Sequence, residues 1–128
     1  MERVERKVLL DSDIAIEILR DNQDIIKKIL TLEARFYTTS VNVFELWSGR
    51  SNDKKMEEFL SSFQILEFDK ESAIISGNIR KELKKKGTQI DFRDLFVASI
   101  CIKNDIEFFT HNIKHFQRLQ GYGLKLIK

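Results

Sequence analysis

The 128-residue sequence predicts an α/β fold: a three-layer sandwich with a mostly parallel central sheet flanked by helices, in one domain spanning residues 1–128. Short apolar runs alternate with amphipathic segments along the whole chain, which is the pattern of repeated strand–helix–strand units. The runs are short and apolar, as in strands covered on both faces. The chain has no proline and only five scattered glycines, so no flexible linker marks a boundary.

The elements follow in order. Val8-Leu9-Leu10 reads as a buried strand ending at Asp11. Ile14, Ile16, Ile18 and Leu19 suggest a helix to about Arg20, and Asp21 to Leu32 a second one with Ile25, Ile26, Ile29 and Leu30 on one side. Arg35 to Thr38 is the second strand, and Ser40 is placed to cap a helix from Val41 to Gly49. Met56, Phe59, Leu60 and Phe63, at spacings of three and four, make Asp53 to Phe63 helical. Gln64 to Phe68 is the third strand. Asp69 can cap a long helix ending at Lys86, where Gly87 supplies the stop. A helix over Asp91 to Asn104, a strand over Glu107 to Thr110, a short helix over Asn112 to Leu119 and a strand over Leu124 to Ile127 complete the chain.

Composition sets limits on function. With 42% hydrophobic and 33% charged residues the chain is of the soluble globular kind, and its ten phenylalanines can fill a core. The net charge of +2 does not announce a nucleic-acid binder. Its distribution is uneven: residues 1–64 carry 10 Lys+Arg against 12 Asp+Glu, and residues 65–128 carry 12 against 8. A basic lobe beside an acidic pocket is compatible with an RNA substrate. Cys101 is the only cysteine, so an intrachain disulfide or a Cys-based zinc site is excluded, and in its apolar run it reads as a small core residue. No apolar stretch reaches the roughly 18–20 residues of a membrane span, and the charged stretch from Met1 to Lys7 is unlike a signal peptide. The expected location is cytoplasmic.

In open sheets of this type, ligands bind beyond the carboxyl ends of the strands. Asp11 ends the first strand there and Asn112 follows the penultimate one. Asp11 alone could be a helix cap, and Asp13 could share that role or bind a metal through water. Glu45 sits in a largely apolar helix with Val41, Asn42, Ser48 and Gly49 as face neighbours, so this face could line a groove while Phe44 and Trp47 pack elsewhere. Asp91 and Asp94 stand three apart at the start of an apolar helix, where acids also favour the helix dipole. Asn112 follows Thr110-His111 and could equally cap the next helix. His111 and His115 are four apart, but a helix starts between them, which argues against a zinc pair; His115 more naturally supports the wall of the site. Carboxylates gathered at one sheet end repel each other unless a cation bridges them. Oxygen ligands without cysteine point to Mg²⁺ or Mn²⁺.

Four segments taken together resemble the PIN-domain nucleases, in particular the VapC type of toxin from prokaryotic toxin–antitoxin pairs. Leu9-Leu10-Asp11-Ser12 is similar to the opening strand with the first acid of that family. Ser40 to Gly49 is similar to the helix holding the second, at Glu45, and Asp94 to Ser99 to the segment bearing the third. Phe109 to Phe116 resembles the closing motif, where many relatives carry a fourth acid at the position of Asn112. The resemblance implies a PIN-like sheet and a metal-dependent endoribonuclease. Asp11, Glu45 and Asp94 would be catalytic, Asp11 and Asp94 would hold Mg²⁺ or Mn²⁺, and Glu45 would ligate directly or through water. Asn112, Asp13, Asp91 and Thr110 would support them. It also implies a protein antitoxin that blocks the site, and a homodimer. Arg93 is a candidate RNA contact, with Lys84, Lys85 and Lys86 as a further one. Asn112, a neutral amide, weakens the case for a second metal ion.

Two other readings compete. Asp11-Ser12-Asp13 after an apolar strand matches the opening of haloacid-dehalogenase phosphatases, with Asp11 as nucleophile and Asp13 as acid, but Thr110-His111-Asn112 cannot supply their later acidic pair. A PIN-like RNA-binding module without catalysis is the other, favoured slightly by Asn112 and opposed by the three retained acids.

Overall fold

The structure is a computed structural model that describes residues 5–49 and 53–128, with nothing stated of the Asp53 side chain; Met1 to Val4 of the charged N-terminal stretch lie outside the described residues. Five strands, β1 (Lys7–Leu10), β2 (Arg35–Thr39), β3 (Gln64–Leu66), β4 (Glu107–Phe109) and β5 (Lys125–Leu126), form one sheet in the order β3-β2-β1-β4-β5. Every pairing is parallel. The helices are α1 (Ser12–Leu19), α2 (Gln23–Leu32), α3 (Ser40–Ser48), α4 (Asp53–Ser61), α5 (Lys70–Lys85), α6 (Phe92–Asn104) and α7 (Ile113–Phe116), followed by a 3₁₀ segment, Gln117–Tyr122.

Strand side chains alternate between faces, and the two faces bury different sets. Leu9 and Phe108 point to one side, where Ile79 and Leu83 of α5, Leu95, Val97, Ala98 and Cys101 of α6, and Phe116 close over them. Val8, Leu10 and Phe109 point to the other side, against Ile14 of α1 and Ile25 of α2. This double cover is the expected three-layer sandwich, and it explains why β1 is apolar without alternation. Ala15 and Leu19 of α1, Leu46 of α3, and Met56 and Leu60 of α4 make a third, smaller cluster beside the sheet.

Asp69 caps α5, its side chain accepting from the Ser72 amide at 2.9 Å, and it also pairs with Lys103 of α6 at 2.7 Å. The stop at Gly87 is real: its φ of +69° lies in the left-handed region that glycine adopts without strain.

Several boundaries differ from expectation. The cap of α3 is Thr39, whose hydroxyl accepts from the Asn42 amide, and Ser40 is already helical. Asn22 caps α2, while Asp21 turns the chain with φ of +60°. The helix expected from Asn112 breaks after Phe116 into the 3₁₀ segment, and Asn112 makes no side-chain cap bond. Phe44 and Trp47, expected to pack, are 61% and 43% exposed.

The core assignment has a direct consequence. Phe108 is fully buried with its ring edge-to-face on Phe116 at 4.9 Å. Phe108→Ala should cost about 3–5 kcal/mol in urea unfolding, whereas Leu30→Ala, at a 71% exposed position, should stay within about 0.5 kcal/mol. Similar losses for both would contradict this packing.

Candidate active site

The sheet order reverses between β1 and β4, and the site opens there, beyond the carboxyl ends of the two strands. The Asp11 amide continues the sheet by donating to the Phe109 carbonyl at 2.9 Å. Its carboxylate turns back to accept from the Ser12 amide at 2.8 Å and from the Thr110 hydroxyl at 2.7 Å. Asp11 is thus the cap of α1 as well as the end of β1. Thr110, buried at the end of β4, ties the two strand ends together. Asp13 sits one step outward: one oxygen accepts from the Ile14 amide at 2.7 Å and the other from the His111 amide at 3.0 Å.

Helix α3 brings in Glu45. It is half-buried, accepts from the Ser12 hydroxyl at 3.1 Å, and has Arg93 at 3.8 Å. One turn earlier Asn42 is completely buried, so it does not line a groove with Glu45 as the helical spacing suggested. Its side-chain amide donates to Ser12 Oγ at 2.8 Å and to Asp11 Oδ1 at 3.3 Å, and its carbonyl accepts from the Thr39 hydroxyl at 2.7 Å.

Helix α6 supplies the rest. Asp91 is its cap, accepting from the Arg93 amide at 2.9 Å, and also lies 3.4 Å from the Arg93 side chain. Asp94, one turn further, is half-buried and 3.0 Å from His115 Nε2. Arg118 stands 3.2 Å from His115 Nδ1. A guanidinium can only donate, so Nδ1 is the acceptor in that contact and Nε2 is the ring nitrogen that faces Asp94. That contact is close but not aligned as a hydrogen bond. His111 instead reaches Glu17 at 2.6 Å, so the two histidines serve different acids. Asn112 is exposed, and its backbone amide donates to the Thr110 hydroxyl at 3.1 Å.

Electrostatics join these groups. Burial, with the nearby charges of Asp13 and Glu45, pushes the Asp11 carboxyl up to about 7, against the bonds from Thr110 and Ser12 that favour its anion. Burial likewise raises Glu45, opposed by Ser12 and Arg93, and raises Asp94, opposed by His115. The three acids are each drawn toward the neutral form by desolvation; Asp11 also feels the charge of Glu45, and Glu45 that of Asp94. Among the described residues no group of three or more His, Cys, Asp or Glu side chains forms a ready cage for a metal ion. Asp94 is engaged by His115, and Glu45 lies between Ser12 and Arg93. The donors themselves, carboxylate oxygens with hydroxyl and amide support, suit a hard divalent cation.

Sequence reasoning located Asp11, Asp13, Glu45, Asp91, Asp94, Thr110 and Asn112, and the fold brings all of them to one end of the sheet. It missed the linking roles of Ser12 and Asn42. A polar residue in an otherwise apolar helix, one turn before an acid, was the available signal for Asn42.

The chain is similar to known proteins in sequence and in fold. A family model described as PIN domain matches residues 8–122. The chain is 31% identical to Ribonuclease VapC1 of Methanocaldococcus jannaschii over 98% of this chain and 90% of the relative. It is 32% identical to Ribonuclease VapC2 of Rickettsia felis, over 91% and 95%. Its fold is similar to the structure of VapBC2 from Rickettsia felis bound to a DNA fragment from their promoter, with a TM-score of 0.83 and 26% identity over 94% of this chain and 97% of that one. No helix among the described residues is long and apolar enough to cross a membrane. The chain belongs to the PIN-domain family, among the relatives named VapC.

Proposed function

We propose that this chain is a divalent-metal-dependent endoribonuclease and the toxin of a toxin–antitoxin pair, with Asp11, Glu45 and Asp94 as its catalytic residues. The observation that carries the reading is the part-buried Asp11 carboxylate at the sheet switch point, with its charged form disfavoured by desolvation and by Asp13 and Glu45. Such a cluster is costly for the bare protein and is relieved by a cation. Asp11 and Asp94 would hold Mg²⁺ or Mn²⁺, with Glu45 binding directly or through water. Bound there, the ion supplies Lewis acidity and a water of lowered pKa. Ser12 and Thr110 fix the acids that face the phosphodiester, and Asn112, being neutral, leaves the pocket suited to one resident ion rather than two. Arg93, exposed beside Glu45, would meet the RNA backbone once a cation takes over the balance of charge.

The partner is an antitoxin, by analogy with the toxin–antitoxin complexes the fold resembles. An arginine or lysine from it would pair with the pocket carboxylates in place of the metal charge. The single-domain organisation, a homodimer and a cytoplasmic location belong to the same reading.

Asp11→Asn and Asp94→Asn should each remove RNA cleavage by more than the roughly 10–100-fold that outer-sphere changes cost, with folding retained. Near wild-type cleavage by either variant in matched Mn²⁺ titrations would exclude that residue.

Stability should depend on pH in a diagnostic way. A carboxyl raised in the folded state binds its proton more tightly folded than unfolded. Its stabilising contribution is complete below about pH 4 and disappears as pH rises through about 7. Glu45 and Asp94 act in the same direction. In EDTA the melting temperature should fall from pH 5 to pH 8, Asp11→Asn should flatten that fall, and added Mn²⁺ should restore stability at pH 8. An equal slope in wild type and Asp11→Asn would contradict the assignment.

Neutralising Arg93 together with Lys84, Lys85 and Lys86 should weaken RNA binding and lower its salt dependence, because fewer counterions are released. An unchanged salt slope would take these residues off the RNA path.

A further inference from the structure

We infer that Asn42 is a positioning residue that ties the Asp11 and Glu45 carboxylates into one preset unit through Ser12. The inference rests on the metal-dependent reading above and adds a residue to it.

Asn42 is a polar side chain with no solvent exposure, and its one carbonyl oxygen and both amide hydrogens have partners at hydrogen-bond distance. The Thr39 hydroxyl donates to its oxygen at 2.7 Å. Its nitrogen donates to Ser12 Oγ at 2.8 Å and to Asp11 Oδ1 at 3.3 Å. Ser12, having accepted from Asn42, sends its own hydrogen to Glu45 Oε1 at 3.1 Å. The direction of every bond is therefore set. The reversed amide would aim its oxygen at the Asp11 carboxylate and leave the Thr39 hydroxyl without an acceptor. The chain of donors begins at the end of β2, crosses α3 and finishes on two carboxylates carried by different elements. Ser12 alone could reach Glu45, but its hydroxyl could rotate; the amide behind it removes that freedom. A helix-facing leucine or threonine at this place would fill the space without supplying two donors in fixed directions. Buried networks of this kind hold ligands in register only when fully satisfied, and groups behind metal ligands commonly govern affinity by about 10–100-fold.

The test uses the full chain and Mn²⁺ or Mg²⁺ as probe. Asn42→Leu removes both donors at similar volume. It should lower Mn²⁺ affinity about 10–100-fold in calorimetry and reduce kcat for RNA cleavage, while KM for RNA stays within about twofold, since no RNA contact is lost. Ser12→Ala cuts only the branch to Glu45 and should have a smaller effect, and the double variant should be no worse than Asn42→Leu, the non-additivity of a shared path. Thr39→Val removes the donor that fixes the orientation of the Asn42 amide and should lower both thermal stability and Mn²⁺ affinity, the latter less than Asn42→Leu does. If Asn42→Leu does not fold, the wild-type side-chain amide of Asn42 answers by NMR: its two protons should be slow to exchange and should shift on Mg²⁺ addition with the same saturation as the calorimetric binding. Wild-type metal affinity and kcat in folded Asn42→Leu, or Asn42 amide signals unmoved by bound Mg²⁺, would overturn the role of Asn42 and leave the nuclease reading standing. A wild-type protein that binds no Mn²⁺ and cuts no RNA would remove both.

Discussion

The hydrogen bond from Thr110 to Asp11, at 2.7 Å across the ends of β4 and β1, sits where the requirements of the fold and of the site meet. The same carboxylate ends a strand, starts a helix and receives a buried hydroxyl from the neighbouring strand. It can do all three because β1 is the central strand, with β2 on one side and β4 on the other. The strand order switches at this point, between β1 and β4, where ligands bind in open parallel sheets. Burial by the two apolar faces makes the carboxylate rigid, and the same burial makes its charge hard to sustain.

Around this point the protein supplies partial compensation rather than full neutralisation. Glu45 has Arg93 at 3.8 Å, and Asp94 has His115 at 3.0 Å, yet both acids remain raised because their burial outweighs these neighbours. Asp11 has hydroxyl and amide donors but no cation in contact among its hydrogen-bond partners. The contrast with Asp69 is instructive. That acid also caps a helix, but its side chain is 39% exposed and pairs with Lys103 at 2.7 Å, and these bonds hold it well below the usual carboxylate range. Two helix caps of the same residue type thus differ in chemistry because one is paired at the surface and the other is confined without a cation.

The layer architecture was readable because β1 is apolar on both faces and Met56, Phe59, Leu60 and Phe63 carry a three-four spacing. The acids were readable because Asp11 ends such a strand and Glu45 interrupts an apolar helix. What stayed hidden depends on distant contacts. The cap of α3 moves from Ser40 to Thr39 because the Thr39 hydroxyl both accepts from the Asn42 amide and donates to the Asn42 side chain, a pairing that no local rule ranks above serine. The helix after Asn112 tightens into a 3₁₀ segment, with Phe116 and Leu119 drawn into the core on either side of the change. The exposure of Phe44 and Trp47 escaped the pattern because hydrophobic residues on a half-buried helix are assumed to pack, and only the tertiary arrangement decides which stripe faces inward.

The division of labour among the three segments that meet at the site has a physical logic. Asp11 is fixed by backbone and strand, and its position could change only by disturbing the sheet. Asp94 lies on α6, whose following residues Leu95, Val97, Ala98 and Ser99 are buried, so its backbone is equally fixed while its side chain can leave His115. Glu45 depends on a chain of side chains: Thr39, Asn42 and Ser12. Rigid backbone anchors on two sides leave the third carboxylate to be set by hydrogen bonds between side chains. In a site assembled this way the side chains can separate crowded carboxylates before the buried sheet beneath them is disturbed.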